Sequence, residues 1–143
     1  MSRRAIVLDA NILIRAVLGV RVRQLVTDHA ADVSFFAPDT AYAEAREHLP
    51  ALLHKRGVDG TLALTSLDAL AKVVRPIDAE MYQGLRLQAL ARIGERDADD
   101  WPALACALTL HCPVWTEDAD FFGTGVATWT TSRVRLYLSP DTV

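Results

Sequence analysis

Five carboxylate residues stand where they could share one binding site for a cation. Asp9 ends the buried, β-branched run at residues 6–8, and Asp118 follows a second apolar run at residues 113–116. Asp100 precedes the helix that leads into that second run. Because the carboxyl ends of parallel strands and the amino ends of helices meet at one edge of a sheet, we expect these side chains to converge. The full set is Asp9, Glu44, Asp97, Asp100 and Asp118.

The remaining two acids have positions that suit the same site. Glu44 falls in the second turn of the helix after the apolar run at residues 33–37, and Asp97 lies three residues before Asp100. Clustered carboxylates repel one another, which raises some of their pKa values. A hard divalent cation with oxygen ligands relieves that repulsion. The chemistry that such a site offers is metal-assisted hydrolysis of a phosphodiester bond.

Apolar runs that alternate with helical patterns predict the frame that positions these acids. Continuous apolar runs suit a sheet that is covered on both faces. We interpret residues 75–77 as a connection or a minimal strand and residues 134–138 as an edge segment. The prediction is a three-layer α/β/α sandwich with a mainly parallel central sheet, in one domain over residues 1–143. The predicted strands are at residues 4–8, 33–37, 113–116 and 126–130.

Some acids have a simpler explanation as helix caps, since Asp is a preferred residue at a helix start. Asp39 and Asp78 are interpreted in this way. Asp99 and Asp100 stand side by side, and either could cap the following helix. Three residues, Asp97, Asp99 and Asp100, therefore compete for the third position in the acidic site.

Composition indicates a soluble globular protein. Hydrophobic residues make up 51% of the chain and charged residues 23%. No apolar run approaches the roughly 18 residues that a membrane helix needs, so we expect a cytoplasmic protein. The net charge of −3 argues against a simple basic nucleic-acid-binding domain. It does not exclude a nucleic acid, because the negative charge is expected to gather at one site. Cys106 and Cys112 are expected to be reduced core residues.

The order of these motifs resembles the PIN-domain nucleases over residues 6–131. One stretch, Arg96-Asp97-Ala98-Asp99-Asp100-Trp101-Pro102, resembles one PIN subgroup in particular. Eighteen residues separate Asp100 from Asp118. The other anchors are Val7-Leu8-Asp9-Ala10-Asn11, Tyr42-Ala43-Glu44, Leu104-Ala105-Cys106-Ala107 and Val114-Trp115-Thr116-Glu117-Asp118-Ala119-Asp120-Phe121-Phe122.

The resemblance implies a ribonuclease that depends on Mg²⁺ or Mn²⁺. Asn11 and Thr116 match residues that support the site, and Asp120 is a second-rank supporting residue. Asp100 is favoured as the third acid because Leu104-Ala105-x-Ala107 follows it at the family's spacing, and Asp97 is kept as an extra metal ligand. The four family acids carried over to this chain are Asp9, Glu44, Asp100 and Asp118.

Small PIN proteins of this kind also resemble the VapC-type toxins of toxin–antitoxin pairs. That resemblance implies a homodimer that cleaves RNA and is inhibited by a small antitoxin protein, whose tail enters the acidic groove. Nothing in the chain separates a toxin from a solitary PIN protein.

Two other functions were weighed against the nuclease. A non-catalytic binding module with the same fold would show no metal dependence. A phosphatase of the haloacid-dehalogenase kind would need a second Asp two residues after Asp9, where this chain has Asn11. It would also need a lysine on a later element of the fold. The lysines of this chain are Lys55 and Lys72, and neither is well placed for that role.

Overall fold

The computed structural model describes residues 3–94 and 96–140, in which five strands form one sheet. The strands are β1 Arg4–Leu8, β2 Val33–Pro38, β3 Val74–Ile77, β4 Val114–Trp115 and β5 Thr128–Trp129. Their order in the sheet is β3-β2-β1-β4-β5, and every neighbouring pair is parallel. The short run at residues 75–77 is therefore part of an edge strand.

Helices cover both faces of this sheet, as expected when parallel strands are joined by crossover connections. Short 3₁₀ turns lie at Gln83–Leu85, Ala98–Asp100 and Ala119–Phe121. The α-helices are α1 Ala10–Leu18, α2 Arg21–His29, α3 Asp39–Lys55, α4 Gly60–Leu70, α5 Ala79–Tyr82, α6 Arg86–Ile93, α7 Trp101–Leu110 and α8 Arg135–Leu138.

The two faces of the sheet carry two separate hydrophobic cores, since successive side chains of a strand point to opposite faces. In β1, Ile6 and Leu8 join the core formed with α1 to α4 and α8. Val7 joins the core formed with α5 to α7. All three side chains are fully buried, at 0% exposure. This arrangement confirms the predicted three-layer sandwich.

The predicted edge segment at residues 134–138 is wrong in its secondary structure, because α8 forms there. Val134 and Leu138 are both buried, and Leu138 N donates to Val134 O at 3.0 Å. A spacing of four residues between buried positions is helical spacing. The side chain of Tyr137 donates to Ala5 O at 2.7 Å and thereby ties the helix to β1.

The cap interpretation of Asp39 and Asp78 also changes. Asp39 is the first residue of α3 and accepts a hydrogen bond from Thr40 N of that helix at 2.8 Å, and its carboxylate also accepts from Ala79 N at 3.1 Å and from the Tyr82 hydroxyl at 2.5 Å. It therefore caps α5, while the Asp78 side chain makes no cap bond. Among the described helices, none has the length and apolar character needed to cross a bilayer.

Candidate active site

Asp9 lies at the carboxyl end of the central strand and at the start of α1. Its Oδ1 accepts a hydrogen bond from Ile12 N at 3.0 Å, which caps the helix. Its Oδ2 accepts a hydrogen bond from Thr116 Oγ1 at 2.5 Å. The residue is only 7% exposed, so both carboxylate oxygens are fixed in a buried position.

Thr116 connects the ends of two neighbouring strands. Its hydroxyl donates to Asp9 and accepts from Asp118 N at 2.9 Å. Asp118 Oδ1 in turn accepts from Asp120 N at 2.9 Å and so caps the turn that follows. Because β1 and β4 pair with Leu8 opposite Trp115, Asp9 and Thr116 leave the sheet side by side.

The third acidic segment is the turn that leads from α6 into α7. The Asp97 carboxylate accepts from Asp99 N at 3.0 Å and caps this turn. Asp100 occupies the N-cap position of α7 but makes no cap bond with its side chain. Its Oδ2 is buried and has no hydrogen-bond partner among the described residues.

These segments bring four carboxylates into one cluster. Each of the four is half-buried, and one oxygen from each lies within 4.8 Å of the others. An all-oxygen donor set is the set that a hard cation such as Mg²⁺ prefers. Oδ2 of Asp100 is buried without a hydrogen-bond partner in the described part of the chain, so it is available to coordinate a cation. These residues therefore fit a divalent cation. The four are Asp97, Asp100, Asp118 and Asp120.

A narrow pocket of about 100 Å³ adjoins the cluster and contains the remaining acids. Asp9, Glu44, Asp99 and Asp100 line it together with small residues from α1, α3 and α7. Glu44 is exposed at its rim. Asp100 therefore belongs to both the pocket and the four-carboxylate cluster.

Burial, together with the neighbouring negative charges, raises the pKa of two carboxyl groups in this region. Burial raises the pKa of Asp9 to about 6, with smaller contributions from the charges of Asp118 and Glu44 and against the hydrogen bonds from Thr116 and Ile12. Burial, followed by the charges of Asp97 and Asp118 and a hydrogen bond between the Asp100 and Asp118 carboxyl groups, raises the pKa of Asp100 to about 8. Among the described residues, neither group forms an ion pair with an arginine or a lysine.

The structure brings the predicted acids to one edge of the sheet. Asp99 lines the pocket but is not part of the four-carboxylate cluster, whereas Asp97 and Asp100 are. Thr116 is fully buried between Asp9 and Asp118, and Asn11 is exposed at the second position of α1.

Two residues that the sequence patterns do not single out are Arg92 and Arg96, which donate to backbone carbonyls of the loop after Asp118. The sequence feature that could have identified these two arginines is their spacing of four residues directly before the acidic motif.

Comparisons with known proteins agree with this fold. The family model described as a PIN domain matches residues 7–139. The crystal structure of VapBC2 from Rickettsia felis bound to a DNA fragment from its promoter has a TM-score of 0.64 and 14% identity, covering 88% of this chain and 98% of that chain. VapBC-1 from nontypeable Haemophilus influenzae has a TM-score of 0.59 and 15% identity, covering 90% and 99%.

A third structure, FitAB bound to an IR36 DNA fragment, has a TM-score of 0.58 and 22% identity, covering 88% of this chain and 94% of that chain. Identities this low show a shared fold alone. No curated protein matches the sequence.

Replacing Asp100 by Asn should stabilise the metal-free protein at alkaline pH. The folded-state pKa of about 8 lies above the unfolded value, so the stability that comes from the protonated carboxyl is present at low pH and lost as pH rises toward 8. We expect the melting temperature of Asp100→Asn to exceed that of the wild type at pH 8 in EDTA, and the difference to shrink toward pH 4.5. Each pH unit in that interval is worth less than about 1.4 kcal/mol, because solvent screens a carboxyl group that is only half-buried.

The matched control is Asp32→Asn, which changes an exposed acid just before β2, at the opposite end of the strands. A difference in melting temperature between the wild type and Asp100→Asn that stays constant across this pH range would contradict the prediction.

Replacing Thr116 by Val should destabilise the protein, because it removes the hydroxyl that both Asp9 and Asp118 N use. A buried hydrogen-bonding group left without a partner costs about 1–3 kcal/mol. Urea unfolding in EDTA measures this cost. Thr116→Ser keeps the hydroxyl and is the control; a Val variant as stable as the Ser variant would show that the bridge contributes nothing.

Proposed function

Because this chain belongs to the PIN-domain family, we propose that it is an endoribonuclease that depends on Mg²⁺ or Mn²⁺. The observation that supports the proposal most directly is the Asp100 carboxylate. It has one buried oxygen without a partner and a pKa raised to about 8, and it faces three other carboxylates. A cation is the ligand that would neutralise this arrangement.

In this proposal Asp9, Asp97, Asp100 and Asp118 hold the metal. A divalent cation bound there supplies positive charge that polarises a phosphodiester and a nearby water. Asp120 shares the carboxylate cluster and could provide a further oxygen ligand. Thr116 orients Asp9 through its hydroxyl, and Asn11 stands as a supporting residue at the start of α1.

Glu44 has a different role from the other acids. It lines the same pocket as Asp99 and Asp100 and is exposed to solvent. We assign to Glu44, with Asp97, the orientation of the water that attacks the phosphorus. The catalytic set is then Asp9, Glu44, Asp100 and Asp118.

RNA is the proposed substrate, and a small antitoxin protein the proposed partner of a homodimer. Both follow from the resemblance to VapC-type toxins, and the structures similar in fold include chains from VapBC and FitAB assemblies. The open pocket at the carboxyl edge of the sheet is the surface that RNA and an inhibitory protein tail would both need.

Purified protein should cleave labelled single-stranded RNA in Mg²⁺ or Mn²⁺ and lose this activity in EDTA. Asp9→Asn and Asp100→Asn should each lower the cleavage rate by about 100-fold or more, since each removes a charged oxygen from the metal site. Asp32→Asn serves as the surface control and should cleave at the wild-type rate.

Calorimetry with Mn²⁺ on the same samples separates the possible failures. Metal binding without cleavage of any RNA would favour a different nucleic acid or a selective substrate. Absence of metal binding in the wild type would refute the acidic-site mechanism and favour a non-catalytic binding module. Cleavage that survives both EDTA and Asp9→Asn would come from a contaminating nuclease.

The toxin assignment has its own test in growing cells. Expression of the wild-type chain should arrest growth, and expression of Asp9→Asn to the same level should not, because the arrest depends on RNA cleavage. Colony counts after induction measure the effect. Equal growth with both proteins would favour a solitary nuclease over a toxin.

A further inference from the structure

The loop that follows Asp118 is attached to α6 and its C-terminal turn by two arginines. Arg96 Nη1 donates to Asp120 O at 3.0 Å and also to Phe122 O. Arg92 Nη1 donates to Thr124 O at 2.9 Å. Arg92 lies in the last turn of α6 and Arg96 in the turn that follows it, and both side chains reach the same loop. Together they bond to three alternate backbone carbonyls of the loop, those of Asp120, Phe122 and Thr124.

Two glycines shape this loop, and one of them, Gly125, lets Arg92 approach it closely. Gly123 and Gly125 have positive φ angles of 83° and 87°, a conformation that other residues rarely adopt. A Cβ atom built at residue 125 would lie 2.7 Å from Arg92 Nη1. At residue 123 a Cβ atom would lie 3.6 Å from Arg96 Nη2. The loop and the arginines are therefore complementary in shape as well as in hydrogen bonding.

The same region joins the two halves of the acidic cluster. Arg96 directly precedes Asp97, whose backbone N–H bonds to Ile93 O at the end of α6. Phe121, three residues after Asp118, is fully buried in the core that contains Ile93. The segment that contains Arg96 thus also carries Asp97 and Asp100, and the loop that the arginines contact carries Asp118 and Asp120.

We propose that Arg92 and Arg96 are positioning residues of the metal site, which set the separation between the Asp97–Asp100 turn and the loop that carries Asp118 and Asp120. They act through backbone carbonyls and not through the carboxylates. Among the described residues, the only ion pair joins Arg46 and Asp68. The acidic oxygens consequently stay available to a cation. This inference rests on the proposed function, because it assigns the cluster to a metal.

A positioning role and a purely electrostatic role predict opposite effects of removing either arginine. Loss of a positive charge near four carboxylates strengthens cation binding if charge is all that matters. If the arginines instead hold the two acidic segments together, loss of that contact weakens cation binding. Residues that orient metal ligands typically change metal affinity by about 10–100-fold.

Mn²⁺ affinity measured by calorimetry on the full chain distinguishes these roles. We expect Arg96→Ala and Arg92→Ala to weaken Mn²⁺ binding by about 10-fold. Gly125→Ala keeps every charge but displaces Arg92, and it should weaken binding in the same direction. Arg23→Ala is the control, since it removes one positive charge from α2, a helix that carries none of the carboxylates assigned to the site. Unchanged or tighter binding in both arginine variants would overturn the proposal.

Amide hydrogen exchange gives a second readout that needs no metal. The amides of Asp120 and Phe122 are bonded to Asp118 Oδ1 and Ala119 O in the native loop. In EDTA they should exchange faster in Arg96→Ala than in the wild type, while amides of β1 keep their protection. Equal exchange in the loop would refute the positioning role. If the wild type binds no Mn²⁺, the proposed function fails, and hydrogen exchange still decides whether the arginines hold the loop.

Discussion

The mutual repulsion of carboxylates packed at one edge of the sheet is the constraint that shapes this protein. The acids are held by neutral donors: Ile12 N and the Thr116 hydroxyl bond to Asp9, and Asp120 N bonds to Asp118. Neutral donors fix geometry without cancelling charge. The pKa of Asp9 is accordingly raised to about 6, because burial outweighs its two hydrogen bonds. The negative charge of these carboxylates is therefore not cancelled by their hydrogen bonds, which is the property on which the proposed cation site depends.

The fold resists this repulsion by building the site on its most buried elements. Ile6, Val7 and Leu8 are fully buried and divide between the two cores, so the strand that ends in Asp9 cannot shift without disturbing both. Trp115, the residue before Thr116, is also fully buried. Packing of this kind stabilises each side chain by about 1.5–3 kcal/mol, which offsets the cost of the adjacent charges.

Sequence patterns predicted the parts of the site that are fixed by regular structure. Asp9 was identifiable because a carboxylate at the end of an apolar strand is unusual, and strand ends meet at one edge. The membership of Asp120 in the cluster and the contacts of Arg96 were not predictable in the same way. They depend on a loop whose path is set by positive φ angles at glycines and by hydrogen bonds over 24 residues or more. The helix α8 was missed because four residues are too few for periodicity to separate a helix from a strand.

Asp100 shows why the choice among three neighbouring acids needed the structure. The 3₁₀ turn at Ala98–Asp100 directs Asp99 to the pocket and places Asp100 in both the pocket and the cluster. Adjacent side chains in a tight turn point in different directions, and the sequence alone does not say which side chain points to the site. Asp100 also makes no cap bond, although an aspartate at a helix start ordinarily would. The carboxylate that makes no capping bond is the one with a buried, unpartnered oxygen, and this exchange of local stability for an available oxygen is the physical reason for the ligand role proposed for Asp100.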